Sequence, residues 1–148
     1  MEPIFLAYIG IALTIAVSCS ASAFGVSITG NAAMGAMKKN PDAFGNYMIL
    51  CALPGTNGLY GFLGYFLLKE FLVPEITMFQ GTAILFTGLA LGGSNWFASL
   101  RQASVCANGI NAIGGGHDVF GKALILAVYP ELYGIVALAA TFMVSISL

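Results

Sequence analysis

Residues Ala123 to Leu148 read ALILAVYPELYGIVALAATFMVSISL, and Glu131 is the one charge among these 26 residues. A run this long can cross a bilayer, because a helical span needs about 20 apolar residues. Glu131 sits well inside it. An ionised carboxylate in hydrocarbon costs at least several kcal/mol, so a lone acid in a span marks a functional site by default. Working outward, Pro3–Met37, Ala43–Leu68 and Ile76–Leu100 contain no Asp, Glu, Lys or Arg. Each is also long enough to span. The composition agrees: 59% of residues are hydrophobic and 7% charged, against about 25% charged in an ordinary soluble domain. Mean hydropathy is +0.92. Met1-Glu2-Pro3 offers no positive leader segment, so the first span is expected to be a retained helix.

The chain is also a duplication. A shift of 76 residues sets Asp42-Ala-Phe-Gly45 on Asp118-Val-Phe-Gly121, Ile49-Leu50 on Ile125-Leu126, Pro54 on Pro130 and Gly58 on Gly134. That gives 7 identities over 17 ungapped positions. In this register Gly55 stands where Glu131 does, so the first copy lacks the acid. The expected fold is an all-α membrane protein whose four transmembrane helices form two duplicated hairpins, residues 1–74 and 75–148.

Charge placement suggests an orientation. Lys38 and Lys39 lie between the first two spans and Lys122 follows the turn between the last two; Lys69, Glu70 and Glu75 lie in the middle turn. Positive residues mark the cytoplasmic side, so the first and third turns are expected in the cytoplasm and both termini outside. Cys19, Cys51 and Cys106 lack metal-type spacing and read as small packing residues. Ser18, Ser22, Gly25, Thr29 and Ala33 form a small-residue face on the first helix, as do Gly81, Gly88 and Gly92 on the third. Such faces let backbones approach closely in lipid. They fit either a tight four-helix bundle or an inner layer of helices 1 and 3, with helices 2 and 4 outside carrying Tyr60, Phe62, Tyr65, Phe66, Tyr129, Tyr133 and Phe142.

Depth groups the polar residues. At 1.5 Å per residue, Glu131, Gln102, Thr56 and Asn57 all lie roughly 20–25 Å from the lysine-bearing turns. Pro54 and Pro130 each release the carbonyl four residues earlier from its helical bond, so backbone oxygens near Leu50, Leu53 and Leu126 join the set. Three readings are open: a satisfied polar knot, a proton carrier, or a site for a hard monovalent cation, for which oxygen ligands are suited. One carboxylate against one Na+ is neutral, whereas a divalent ion leaves charge over.

The stretch Leu53-Pro-Gly-Thr-Asn-Gly-Leu-Tyr-Gly61, with Gln102 and Pro130-Glu-Leu-Tyr133, resembles the proteolipid (K, or c) subunit of bacterial V/A-type ATPases across the whole chain. The resemblance implies a non-catalytic subunit of the bacterial cell membrane. Many copies assemble into a rotor ring that turns against a stator subunit with an arginine, while the central stalk docks at the cytoplasmic turns. It also implies Na+ bound by the Leu53 carbonyl, Thr56, Asn57, Gln102 and Glu131, with Tyr60 hydrogen-bonded to the glutamate to lock the site; H+ is the alternative ion. Two positions depart from the pattern. Asn57 replaces the usual glutamine and is one methylene shorter, and Arg101 lies beside Gln102, where it could pair with Glu131. The competing class is a small proton-coupled four-helix multidrug exporter; its single acid would not be expected in the last helix of a duplicated pair. The chain has no nucleotide-binding motif and no nucleic-acid partner is expected. Gly114-Gly-Gly116 reads as a turn and His117 as a solvated residue beside it.

Overall fold

The computed structural model describes residues 2–148. Five helices follow in order: α1 Pro3–Met37, α2 Phe44–Ala52, α3 Thr56–Leu68, α4 Met78–Gly114 and α5 Phe120–Ser145. No strand occurs among the described residues. α1, α4 and α5 are each long and apolar enough to cross a membrane. α2 and α3 together make the second crossing, divided by a single 3-10 turn at Leu53–Gly55. One span therefore differs from the sequence expectation: the second is two helices rather than one, while the third carries Arg101 and Gln102 and runs to Gly114.

The division has a local cause. Pro54 has no N–H for the Leu50 carbonyl, and the turn tightens there. Backbone dihedrals nevertheless stay right-handed helical, at φ −53°, ψ −47° for Leu53 and φ −70°, ψ −24° for Gly55. The two pieces thus continue as one crossing. Ser22 of α1 inserts at this point: its hydroxyl accepts from the Gly58 N–H at 2.7 Å and donates to the Pro54 carbonyl at 2.7 Å. Those are the groups that would close an ordinary helical turn, and a side chain entering the ladder is a recognised cause of such irregularity.

The four crossings make two hairpins whose turns meet at one end. There Asn40 Nδ2 donates to the Ile113 carbonyl at 3.2 Å, and Gly116 takes φ +87° to reverse the chain, a conformation that favours glycine. At the other end Thr77 and Gln80 form a capping box for α4, and Gln80 Nε2 donates to the Leu148 carbonyl at 2.9 Å. Both chain ends lie here, since Pro3 packs against Gly81.

Glycine sets the closest packing. α1 and α4 pair along their length, with α3 laid on α1, α5 on α4, and α3 touching α5. A Cβ on Gly88 would collide with the Gly10 carbonyl oxygen, and one on Gly10 with that of Ile84. The small-residue faces foreseen on the first and third helices are thus the buried ones: Ser18 and Thr29 are fully enclosed and Ser22, Gly25 and Ala33 nearly so. Phe62, Phe66, Tyr129, Tyr133 and Phe142 point outward. Two apolar cores occupy the ends of the bundle. One, near the paired turns, contains Tyr47, Leu50, Cys106, Ile110 and Ala127; the other contains Ala7, Ile11, Leu68 and Ile84. Buried polar side chains lie between them: Ser18, Ser22, Asn57, Asn95, Ser99 and Gln102. Gly88→Ala forces backbone apart and should cost about 1–3 kcal/mol. Gly45→Ala, where nothing lies within 4 Å, should be neutral. Thermal unfolding of the purified protein in detergent distinguishes them, and equal midpoints would contradict the close α1–α4 approach.

Candidate ion-binding site

The acid is held by two donors from two neighbouring crossings. Tyr60, one turn into α3, donates its hydroxyl to Glu131 Oε1 at 2.7 Å. Gln102 of α4 donates Nε2 to Glu131 Oε2 at 3.0 Å. With its amide nitrogen spent on the carboxylate, Gln102 presents Oε1 to Asn57, whose Nδ2 donates to it at 3.3 Å. Gln102 and Asn57 are fully buried and Glu131 is partly covered. Hydrogen bonds to an ionised group are the stronger kind, and here they come from groups that lipid could not replace.

The residues singled out in the sequence fall into two sets. Glu131, Gln102, Asn57 and Tyr60 form one continuous hydrogen-bonded chain. Thr56 and Leu53 pair with each other, the Thr56 hydroxyl donating to the Leu53 carbonyl at 2.9 Å. Asn57 touches Gln102 and not Glu131, in keeping with its short side chain. Arg101 is exposed. It lines a groove on the outer face with Ser94, Phe97, Tyr129, Pro130 and Tyr133, while both Glu131 oxygens are engaged elsewhere. His117 is exposed in its turn.

Several polar residues here were not foreseen. Ser22 and Ser99 converge on the carbonyl of Pro54, at 2.7 Å and 2.9 Å. Thr29 lies 3.2 Å from the carbonyl of Cys51. The backbone oxygens that meet side-chain hydroxyls are therefore those of Cys51, Leu53, Pro54 and Gly55, displaced from Leu50 because the 3-10 turn and the Ser22 insertion redistribute the ladder. Asn95 also lies in this layer, its Nδ2 donating to Ser18 Oγ at 2.9 Å.

The 76-residue register extends to the site. Val26 is the counterpart of Gln102 and Gly55 that of Glu131. A Cβ on Gly55 would meet only Val26, at 3.7 Å. The first hairpin thus repeats the contact between crossings with both polar partners gone.

One hydrogen-bonded carboxyl, set at mid-depth in a duplicated four-crossing bundle, defines a membrane proteolipid of the ion-carrying kind. The chain belongs to the ATP synthase C-subunit family, which matches it twice, over residues 9–68 and 85–144. The second match starts 76 positions after the first, which is the register of the duplication. Two relatives are similar along most of the chain. The V-type sodium ATPase subunit K of Enterococcus hirae is 34% identical over 122 residues, 82% of this chain and 78% of that protein. The A-type ATP synthase subunit K of Methanocaldococcus jannaschii is 30% identical over 138 residues, 93% of this chain and 60% of that protein. The chain is a multi-pass membrane protein of this family.

Tyr60→Phe removes one of the two donors without opening a large cavity. A carboxyl-reactive carbodiimide should then modify Glu131 several-fold faster in the purified protein. An unchanged rate would mean that the Tyr60 bond does not restrain the carboxyl.

Proposed function

We propose that the protein is a non-catalytic rotor subunit of a V/A-type rotary ATPase, carrying Na+ at Glu131. The observation that supports it best is the Glu131 carboxyl, held by Tyr60 and Gln102 in a buried polar layer between two apolar cores. The similarity to a sodium ATPase subunit adds to it. In this reading the ion meets the Glu131 carboxylate, the Gln102 amide oxygen, the Thr56 hydroxyl and the Leu53 carbonyl. Asn57 enters through its bond to Gln102. All are oxygen donors with a single negative charge, which suits a hard monovalent ion.

The cycle follows from the cost of charge in hydrocarbon. A Glu131 neutralised by Na+ can face lipid and an ionised one cannot, so loaded subunits travel through the bilayer. At a stator interface an arginine stabilises the bare carboxylate, and the ion leaves by an aqueous path. Many copies of the chain form the ring. Arg101 supports this arrangement, because a guanidinium on the outer face at the depth of Gln102 is costly against lipid and is better covered by a second copy. Each chain supplies four crossings and one carrier, since Gly55 and Val26 cannot hold an ion. The energy of one turn is divided over fewer ions than in a ring with a carrier per hairpin, so each can be driven up a steeper gradient. That suits a pump. The lysine-bearing turns face the cytoplasm, where the central stalk docks, and both termini lie outside. Protonation of Glu131 without Na+ is the second reading: as Gln102 is turned, its N–H and not its oxygen faces the carboxyl, so it offers no ligand to a cation there.

Carbodiimide labelling separates the two. The reagent needs a protonated carboxyl, and Na+ competes with that proton. Millimolar Na+ should slow labelling, increasingly so as pH rises and fewer protons compete. Thr56→Val and Gln102→Leu should each weaken the protection. Equal effects of Na+ and K+ would favour the proton. Glu131→Gln should assemble into a ring yet abolish transport, and substantial pumping by it would remove Glu131 from the mechanism. Topology has its own measurement: Lys39→Cys and Gly116→Cys should react with an impermeant thiol reagent only from the cytoplasmic side. Labelling from outside would invert the orientation.

A further inference from the structure

Two buried side-chain oxygens lack any hydrogen-bond partner, Asn57 Oδ1 and Asn95 Oδ1. Both residues are fully enclosed. The two oxygens converge on one spot: a Cβ on Gly134 would lie 2.6 Å from the first and 2.8 Å from the second. Glycine at 134 is what lets them approach, one helical turn beyond Glu131. A buried acceptor left unpaired is destabilising.

The orphans trace back to the acid. Gln102 gives its N–H to Glu131, so its oxygen takes the N–H of Asn57, which leaves the Asn57 oxygen without a donor, beside Gly134 where the Asn95 oxygen also lies. The Asn95 nitrogen is already committed to Ser18. An amide offers oxygen on one side and nitrogen on the other, so a half-turn of Gln102 and Asn57 together reverses the sequence of donors. Asn57 then donates Nδ2 to Asn95 Oδ1, and Gln102 donates Nε2 to Asn57 Oδ1. Both orphans are satisfied. The oxygen of Gln102 is left facing Glu131, where it can ligate a cation or accept from an O–H.

We propose that Gln102, Asn57 and Asn95 form a two-position amide relay, in which Asn95 is a positioning residue that selects Na+ by accepting from Asn57 when the relay turns its terminal oxygen toward the ion. The inference rests on the assignment of Glu131 as a Na+ carrier and deepens it. In the ion-free position Gln102 donates to the bare carboxylate, and the cost is the pair of oxygens without donors beside Gly134. In the loaded position the ion takes the place of that donor, and the pair becomes a hydrogen bond. Asn95 therefore favours the loaded state without touching the ion. It also accounts for Asn57, whose short side chain holds Gln102 instead of reaching the cation.

The acid-free half of the chain offers an internal comparison. In the 76-residue register Asn95 corresponds to Cys19, Gln102 to Val26 and Glu131 to Gly55, while Gly134 corresponds to Gly58. Cys19 packs against Gly58 as Asn95 does against Gly134. Asn95 and Gln102 thus have no amide counterpart in the acid-free copy, although the packing geometry is present in both; Asn57 reaches them from the first hairpin.

The test is Na+ protection of Glu131 from carbodiimide on purified rings, in the wild type, Asn95→Ala, Asn95→Thr and Ser18→Ala. Asn95→Ala should raise the Na+ concentration for half-protection about tenfold. Asn95→Thr, which restores an oxygen acceptor, should recover much of that loss. Ser18→Ala, which leaves the Asn95 oxygen in place, should stay within about twofold. If Na+ protects the wild type and Asn95→Ala equally, the relay is overturned and the Na+ carrier stands. If Na+ does not protect the wild type, both are overturned. Should Asn95→Ala fail to assemble, the wild-type ring alone decides. Its infrared difference spectrum on adding Na+ should contain shifts of side-chain amide carbonyl bands. Carboxylate bands alone would overturn the relay.

Discussion

A carboxyl group in hydrocarbon must be neutralised or hydrogen-bonded, because water is not there to solvate it. Much of this fold serves that requirement at Glu131. Tyr60 and Gln102 approach from different crossings, so the acid is held only when the two hairpins are docked. The glycines between α1 and α4 allow that docking, since a single methyl at Gly88 would collide with backbone. The apolar cores at either end confine polar side chains to one layer. Within it Ser22 and Ser99 satisfy the carbonyl of Pro54, which lets the second crossing break its helix and still continue beside the acid.

Duplication and asymmetry have distinct roles. The paired hairpins build the same contacts twice, with Gly58 and Gly134, Pro54 and Pro130, Val26 and Gln102 in matching places. Only the second copy carries the acid. The space at Gly55 is open, with Val26 at 3.7 Å as the one neighbour of a Cβ placed there, so packing does not forbid a side chain. What is missing is a polar partner. Restoring an acid without replacing Val26 would leave a carboxyl with no donor from α1, and this links the loss of the two residues physically. In the rotor proposed above, one ion for each four crossings would exchange capacity for force.

The membrane class, the two hairpins and the shared level of Glu131, Gln102 and Asn57 were legible in the sequence. Each rests on a one-dimensional quantity: run length, the 76-residue register, or a count of residues from a turn. Depth alone brought Glu131, Gln102 and Asn57 to one level, and they do form a hydrogen-bonded chain. Other features depend on rotation about helix axes and on side-chain torsions, which spacing does not determine. Thr56 was expected beside Glu131 and bonds its own Leu53 carbonyl, as a hydroxyl often does with nearby backbone. Arg101, next to Gln102 in sequence, is about 100° away around the helix and faces outward. Asn95 gave no signal, because it sits two turns from Gln102 in an apolar run. Its relevance appears only where Gly134 brings its oxygen to that of Asn57. The break at Leu53–Gly55 was foreseen as a freed carbonyl but not as a divided helix, since the Ser22 insertion comes from another crossing.

In the proposed cycle one neutralisable carboxyl per chain carries one cation. Equilibrium binding of radioactive Na+ to purified rings counts this directly. Binding should saturate at one Na+ per chain, be retained in excess K+ and be absent from Glu131→Gln. Two ions per chain, or none that resist K+, would rule the cycle out.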